Sequence, residues 1–239
     1  MKIRQIVIAL VSLFTLSIAQ AQYLWSDLPP GMGPYFRVGL GPAFFQDSNL
    51  KGFSFPTTPV APGFTGPSAK VRYDVGASGG LALGFAFNQY VGLDVQTGYT
   101  WARMSGVQNY IANGSTMGNV PFLANLTLSL PIAHTHIIPF VGGGIGGSDS
   151  VFDAHSFTEP ASGYSVSDNE DDVVFAWQAF AGVRLMLSPK ISLGLGYDFF
   201  MTGNPTFRYP FSSPPPPNLN VEFEGVRTHS IIFMLQADF

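Results

Sequence analysis

The chain has 239 residues, 46% of them hydrophobic and only 11% charged, with 27 Gly, 19 Pro and no Cys. Soluble domains carry about 25% charged residues, so an ordinary water-facing surface is excluded. A net charge of -4 and a pI near 5.4 exclude a basic stripe for nucleic acid, and the missing Cys excludes disulfides, thiolate catalysis and cysteine-based metal sites.

Residues 1–21 have the form of a secretory signal peptide. Lys2 and Arg4 make a basic start, an apolar run extends from Ile6 to Ile18, and Ala19, Gln20 and Ala21 form a small-x-small cleavage site. The run is shorter than the ~20 apolar residues of a spanning helix. Residues 22–33 are expected to be a periplasmic N-terminal segment and residues 34–239 the folded body.

From there the apolar residues recur with a period of two, which predicts strands. The first covers 34–43, with Phe36, Val38 and Leu40 opposite Arg37, Gly39 and Gly41. The second runs over 71–87, placing Val71, Tyr73, Val75, Leu81, Leu83 and Phe85 on one face and Arg72, Asp74, Ser78 and Gly80 on the other. The third covers 90–102, with Asp94, Gln96 and Gly98 on its polar parity, and the fourth 119–130, with Asn125, Thr127 and Ser129. A fifth over 137–146 contains "VGGGIGG", whose two faces differ little. The sixth spans 173–187 with Gln178, Gly182 and Arg184 on the polar side, and the seventh 191–200 with Ser192, Gly194, Gly196 and Asp198. The chain closes on an eighth, "RTHSIIFMLQADF".

The connections alternate in length. "NQ", "PIAHTH" and "SPK" are tight turns, whereas 44–70, 103–118, 147–172 and 201–227 are long and rich in Pro, Gly, Ser and Asn. Short turns at one end and long loops at the other predict an all-β fold, an eight-stranded antiparallel up-and-down transmembrane β-barrel.

A soluble lipocalin-like barrel would share the alternation with its apolar face turned inward. Its exterior would then need Lys and Glu, yet the polar parity is mostly Gly, Ala, Ser and Asn, which suits a narrow lumen. Aromatic residues also gather at two heights: Phe36, Phe87, Tyr90 and Phe239 beside the short turns, and Phe44, Phe45, Tyr99, Trp101, Tyr197 and Phe199 toward the loops. Two such levels are expected of membrane-interface girdles. The polar face carries Arg37, Arg72, Asp74, Asp94, Arg184, Asp198 and Asp238, expected to form a lumen network of paired charges.

The signal peptide, the eight alternating strands, "PFVGGGIGG" and the terminal aromatic together resemble the OmpA-like and opacity-type outer-membrane β-barrels, often called porin-like, over about residues 35–239. The resemblance implies a Gram-negative outer membrane, insertion by the barrel assembly machinery, and loops on the cell surface. It also implies that Phe239, with alternating Ala237, Leu235 and Phe233, forms the assembly signal. Where OmpA continues into a peptidoglycan-binding domain this sequence stops, so cell-wall anchoring is not expected.

Other candidates are weaker. His134 and His136 could share a face, but no third ligand is near in sequence, so polar turn residues are expected and no metal. Asp149, Asp153, Asp168, Glu170, Asp171 and Asp172 lack calcium-loop spacing and are expected to be a solvated acidic loop. The adjacent pairs His229-Ser230 and His155-Ser156 suggest a lipid A-processing hydrolase, but strand neighbours point to opposite faces and His229 cannot serve Ser230. Arg103, Arg208 and Arg227 at the loop-side rim are expected to contact lipopolysaccharide phosphates or to snorkel. "SSPPPPNLN" predicts a stiff polyproline II stretch that could present a surface to a partner.

The expectation is therefore a monomeric, non-enzymatic outer-membrane barrel without cofactors, working in envelope structure and surface-loop contacts. The alternative is a narrow passive channel.

Overall fold

The computed structural model describes residues 31–54, 69–108, 111–112, 114–154, 157–158, 165–166, 169–209 and 219–239. The signal peptide, His155, Ser156, Asp168 and the proline run of the last loop lie outside the described residues.

Eight wall strands follow one another around a ring: β1 (Gly33–Phe45), β2 (Gly76–Ala86), β3 (Val91–Val107), β4 (Thr116–Ser129), β5 (Ile137–Asp153), β6 (Asn169–Ser188), β7 (Ile191–Thr202) and β8 (Arg227–Asp238). Each pairs antiparallel with its successor, and β8 closes on β1 in register from Tyr35↔Asp238 to Phe45↔Thr228. Closure leaves the wall without a free edge, the condition for a sheet to cross lipid.

The exterior is apolar and the interior polar, the inverse of a soluble protein. Leu40, Val95, Ile145 and Phe233 are 58–65% exposed, while Asp94, Asn125, Thr127, Gln178, Ser192, Ser230 and Gln236 are buried inside. A contiguous band of this kind needs lipid. It ends at a girdle of Phe44, Tyr99, Trp101 and Tyr197 toward the loops and of Phe87 and Tyr90 at the turns. The turns are tied locally: the Asn88 side chain accepts from the backbone N–H of Tyr90 and Val91, and Thr135 donates to the Ile132 carbonyl.

Above the girdle the loops depart from the irregular course expected of them. The wall strands β3 to β6 run on past the predicted ends, while on the other side β1, β2, β7 and β8 break and resume as Ser48–Ser54, Ala69–Tyr73, Thr206–Tyr209 and Leu219–Phe223. The breaks fall together, at 46–47, 74–75, 203–205 and 224–226. Their backbone groups remain satisfied: Gly225 N donates to Asn204 Oδ1 and Val226 N to Thr202 Oγ1. The resumed strands pair in the order Thr206–Tyr209, Leu219–Phe223, Ser48–Ser54, Ala69–Tyr73 and then onto the top of β3. Thr206 N returns to β6 through Asp172 Oδ2 at 2.8 Å.

This extension has an apolar core of its own. Phe45, Leu50, Val71, Phe207, Val221, Phe223 and Val226 meet Met104, Met117 and Phe152 from the opposite wall. Phe152, Phe207 and Phe223 form an aromatic triangle with centroids 5.1–5.8 Å apart. Two expectations are corrected here. Phe45 is no girdle residue, and Val71 and Tyr73 do not continue the lipid face of β2, because the chain bends at Asp74 and Val75 and turns them into this core. The outside of the extension is charged, with Lys51 paired to Glu222 at 2.7 Å and Lys70 to Asp47 at 2.9 Å, so the breaks coincide with the change from lipid to water.

Candidate functional site

The lumen concentrates polar chemistry, because inward parity brings polar residues from separate strands onto one axis. Asp94 of β3 is its centre. Its Oδ2 accepts from Tyr35 Oη at 2.6 Å and from Arg37 Nη2 at 2.9 Å, and its Oδ1 accepts from Asn125 Nδ2 at 2.7 Å. Asn125 Nδ2 also donates to Gln96 Oε1, and Gln178 Nε2 donates to both Gln96 Oε1 and Asn125 Oδ1 at 2.8–2.9 Å. Residues of β1, β3, β4 and β6 are thereby stitched across the interior. The Asp94 side chain has no solvent exposure and that of Arg37 has 11%. A buried charge persists only when paired and bonded in this way.

The lumen glycines make room for rings. A Cβ on Gly84 would strike the Tyr35 ring, one on Gly142 would come within 2.5 Å of Phe180, and one on Gly182 within 2.7 Å of Phe140. The two phenyl rings lie 6.3 Å apart, with the Arg37 guanidinium 5.7 Å from Phe180 and that of Arg184 5.5 Å from Phe140. At these three positions the missing side chain is matched by a ring.

Among the described residues a void lies on each side of the network. One, about 80 Å³, lies on the extracellular side of the network and is lined by Arg37, Ser78, Thr100, Asp198, Thr228 and Ser230 among others. The other, about 490 Å³, is a vestibule beside the periplasmic turns, lined by Tyr35, Arg37, Ser129, Arg184, Gln236 and Asp238 among others. Leu123, Ala176 and Phe200 form a small apolar cluster toward the extension.

Of the seven charges expected in the lumen, Arg37 and Asp94 meet directly. Arg184 reaches Asp238 through Gln236: Arg184 Nη1 donates to Gln236 Oε1 at 2.6 Å, and Gln236 Nε2 donates to Asp238 Oδ1 at 2.8 Å. Asp238 therefore associates with Arg184. Asp198 faces the smaller void, and its Oδ1 has no bonding partner. Arg72 and Asp74 are corrected: both are exposed, Arg72 in the extension and Asp74 at the bend between it and β2. The residues missed as network members are Tyr35, Gln96, Asn125 and Gln178. All four sit on the inward parity of their strands, and Tyr35 shares that of Arg37 two positions on.

The remaining candidates are dispersed. Arg103, Arg208 and Arg227 are exposed, Arg227 lying 3.7 Å from Glu224. His134 and His136 are exposed in the β4–β5 turn, His134 with a φ of 61°. Asp172 is spent on Thr206, and among the described residues no group of three or more His, Asp or Glu is placed to hold a metal ion. His229 points outward, with Tyr197 Oη on Nδ1 and Gln46 Nε2 on Nε2, whereas Ser230 is buried in the lumen. They form no dyad. Phe239 N donates to the Pro34 carbonyl at 3.1 Å, and Phe233 and Leu235 lie on the lipid face.

The sequence matches the outer membrane protein beta-barrel domain over residues 6–239. The chain belongs to that family. It resides in the bacterial outer membrane, and the soluble-barrel alternative is set aside. Among solved structures it is similar to the outer membrane protein OprG from Pseudomonas aeruginosa, with 14% identity over 87% of this chain and 97% of that one and a TM-score of 0.57. It is also similar to the outer membrane protease OmpT from Escherichia coli, with 9% identity over 90% of this chain and 99% of that one and a TM-score of 0.50. At these identities the likeness is one of fold. No curated protein matches the sequence.

Proposed function

We propose that this barrel is a closed, non-enzymatic envelope protein that works through its extracellular extension rather than through its lumen. The observation that carries this is obstruction at two levels: the bonded network around Asp94 with its ring-filled glycine notches, and above it the apolar core of the extension. Eight strands leave an interior only wide enough for side chains. Arg103, Arg208 and Arg227 contact lipopolysaccharide phosphates around the rim, where guanidinium makes charge-assisted bonds. The extension offers a surface to a partner, the protein acts as a monomer, and the barrel assembly machinery inserts it by its C-terminal pattern.

A narrow passive channel is the second reading, favoured by the fact that Arg37 lines both voids. Purified protein in planar bilayers separates the two. The closed reading expects no reproducible unitary conductance; steady open events, enlarged by Arg37→Ala, would establish the channel instead. Lipid A whose mass changes on expression of the protein would overturn the non-enzymatic part.

A further inference from the structure

We propose that the periplasmic vestibule binds a small organic carboxylate, held by Arg184 at its inner end. The inference is independent of whether the lumen conducts.

Arg184 differs from Arg37 in its company. Arg37 has a carboxylate at 2.9 Å, whereas Arg184 makes no ion pair among the described residues. Its Nη1 and Nη2 donate to neutral oxygens, Gln236 Oε1 and Ser129 Oγ, both at 2.6 Å, and its Nε has no partner. Asp238 reaches it only through Gln236. Buried guanidinium groups are ordinarily matched by an anion, because neutral dipoles offset only part of the lost hydration.

The space beside this cation has the size and lining of a ligand site. About 490 Å³ falls within the range of small-molecule pockets, and Met32, Pro34, Val91, Ile138 and Met186 supply apolar walls. Lys190 adds a second cation to the lining, and the carboxylates of Asp238 and of the terminal Phe239 stand near the same mouth. Apolar walls and an underpaired planar cation select an anion with a short apolar body. A carboxylate matches the guanidinium's planar geometry.

Titration of the folded protein in lipid nanodiscs with 4-phenylbutyrate tests this, alongside its neutral amide and empty nanodiscs. Saturable binding is expected, with a shift of the Arg184 side-chain N–H resonance. The amide should bind more than about tenfold more weakly, as truncating one partner of a charged contact does. Gln236→Glu sets a resident carboxylate against Arg184 and should weaken 4-phenylbutyrate by a similar factor, as should Arg184→Gln if that variant folds. Equal uptake by empty nanodiscs, equal binding of acid and amide, or unchanged affinity in folded Gln236→Glu would each overturn the proposal.

Discussion

Arg37 and Asp94, on β1 and β3, form an ion pair 2.9 Å long inside a lumen from which the Asp94 side chain is wholly shielded. Removing one partner strands the other. Asp94→Ala is expected to cost about 3–5 kcal/mol, whereas the double change Arg37→Met with Asp94→Leu should lose much less, because no buried charge is left behind. Urea unfolding in lipid vesicles measures both. A double variant as unstable as Asp94→Ala would show that the pair contributes more than mutual neutralisation.

The glycine notches give a contrast within one barrel. Gly84→Val would drive a side chain into the Tyr35 ring and should destabilise by about 1–3 kcal/mol or more. Gly147→Ala has no neighbour closer than 3.7 Å and should stay within about 0.5 kcal/mol of the parent. Paired unfolding curves decide, and equal losses would remove ring-filling as the reason for glycine.

Tyr73 donates or accepts with Ser48 Oγ at 2.9 Å in the core of the extension, and burial pushes its phenol up to about 12 from 10.0. A raised acid keeps its proton longer when folded than when unfolded. Its stabilisation is therefore complete below pH 10 and is lost as pH rises from 10 toward 12. Above pH 10 the parent should lose stability more steeply than Tyr73→Phe, which has no proton to release. Parallel slopes in unfolding midpoints against pH would contradict this.

Phe152 stands in the aromatic triangle at 0% exposure. Phe152→Ala should weaken the extension by about 3–5 kcal/mol. Because the triangle lies outside the lipid-spanning ring, protease sensitivity should rise in the extension while heat-modifiable mobility persists. Loss of heat-modifiable mobility together with the rise in protease sensitivity would mean that barrel and extension fold as one unit.

Deleting Phe239 removes one closing hydrogen bond, to Pro34. Insertion yield in cells should fall more than the stability of protein already refolded in vesicles. Equal yields would leave Phe239 a structural role only.

The barrel was legible in the sequence because the bilayer imposes a strict period of two: lipid selects one parity and a narrow lumen the other. That is why the sequence assigns Leu40, Leu81, Leu83 and Phe233 outward, and Arg37, Asp94 and Gln178 inward. The extension was not legible. Val71 and Tyr73 continue the alternation of β2 without a fault, and only the bend at Asp74 and Val75 turns them from lipid into an apolar core. A pattern of alternate apolar residues says that one face avoids water, not what covers it. The same limit misplaced Arg72 and Asp74. Tyr35 is masked in the sequence because an aromatic beside Phe36 near a strand end has the form of a girdle residue, and only its shared parity with Arg37 marks it as inward.

The four neighbouring breaks at 46–47, 74–75, 203–205 and 224–226 share one height. Mutations on either side of that line answer to different solvents, so the two halves of the molecule are free to diverge at different rates. The line also marks where a grafted foreign epitope or a transplanted set of loops could be spliced, leaving the lipid belt and its closing register between β1 and β8 untouched.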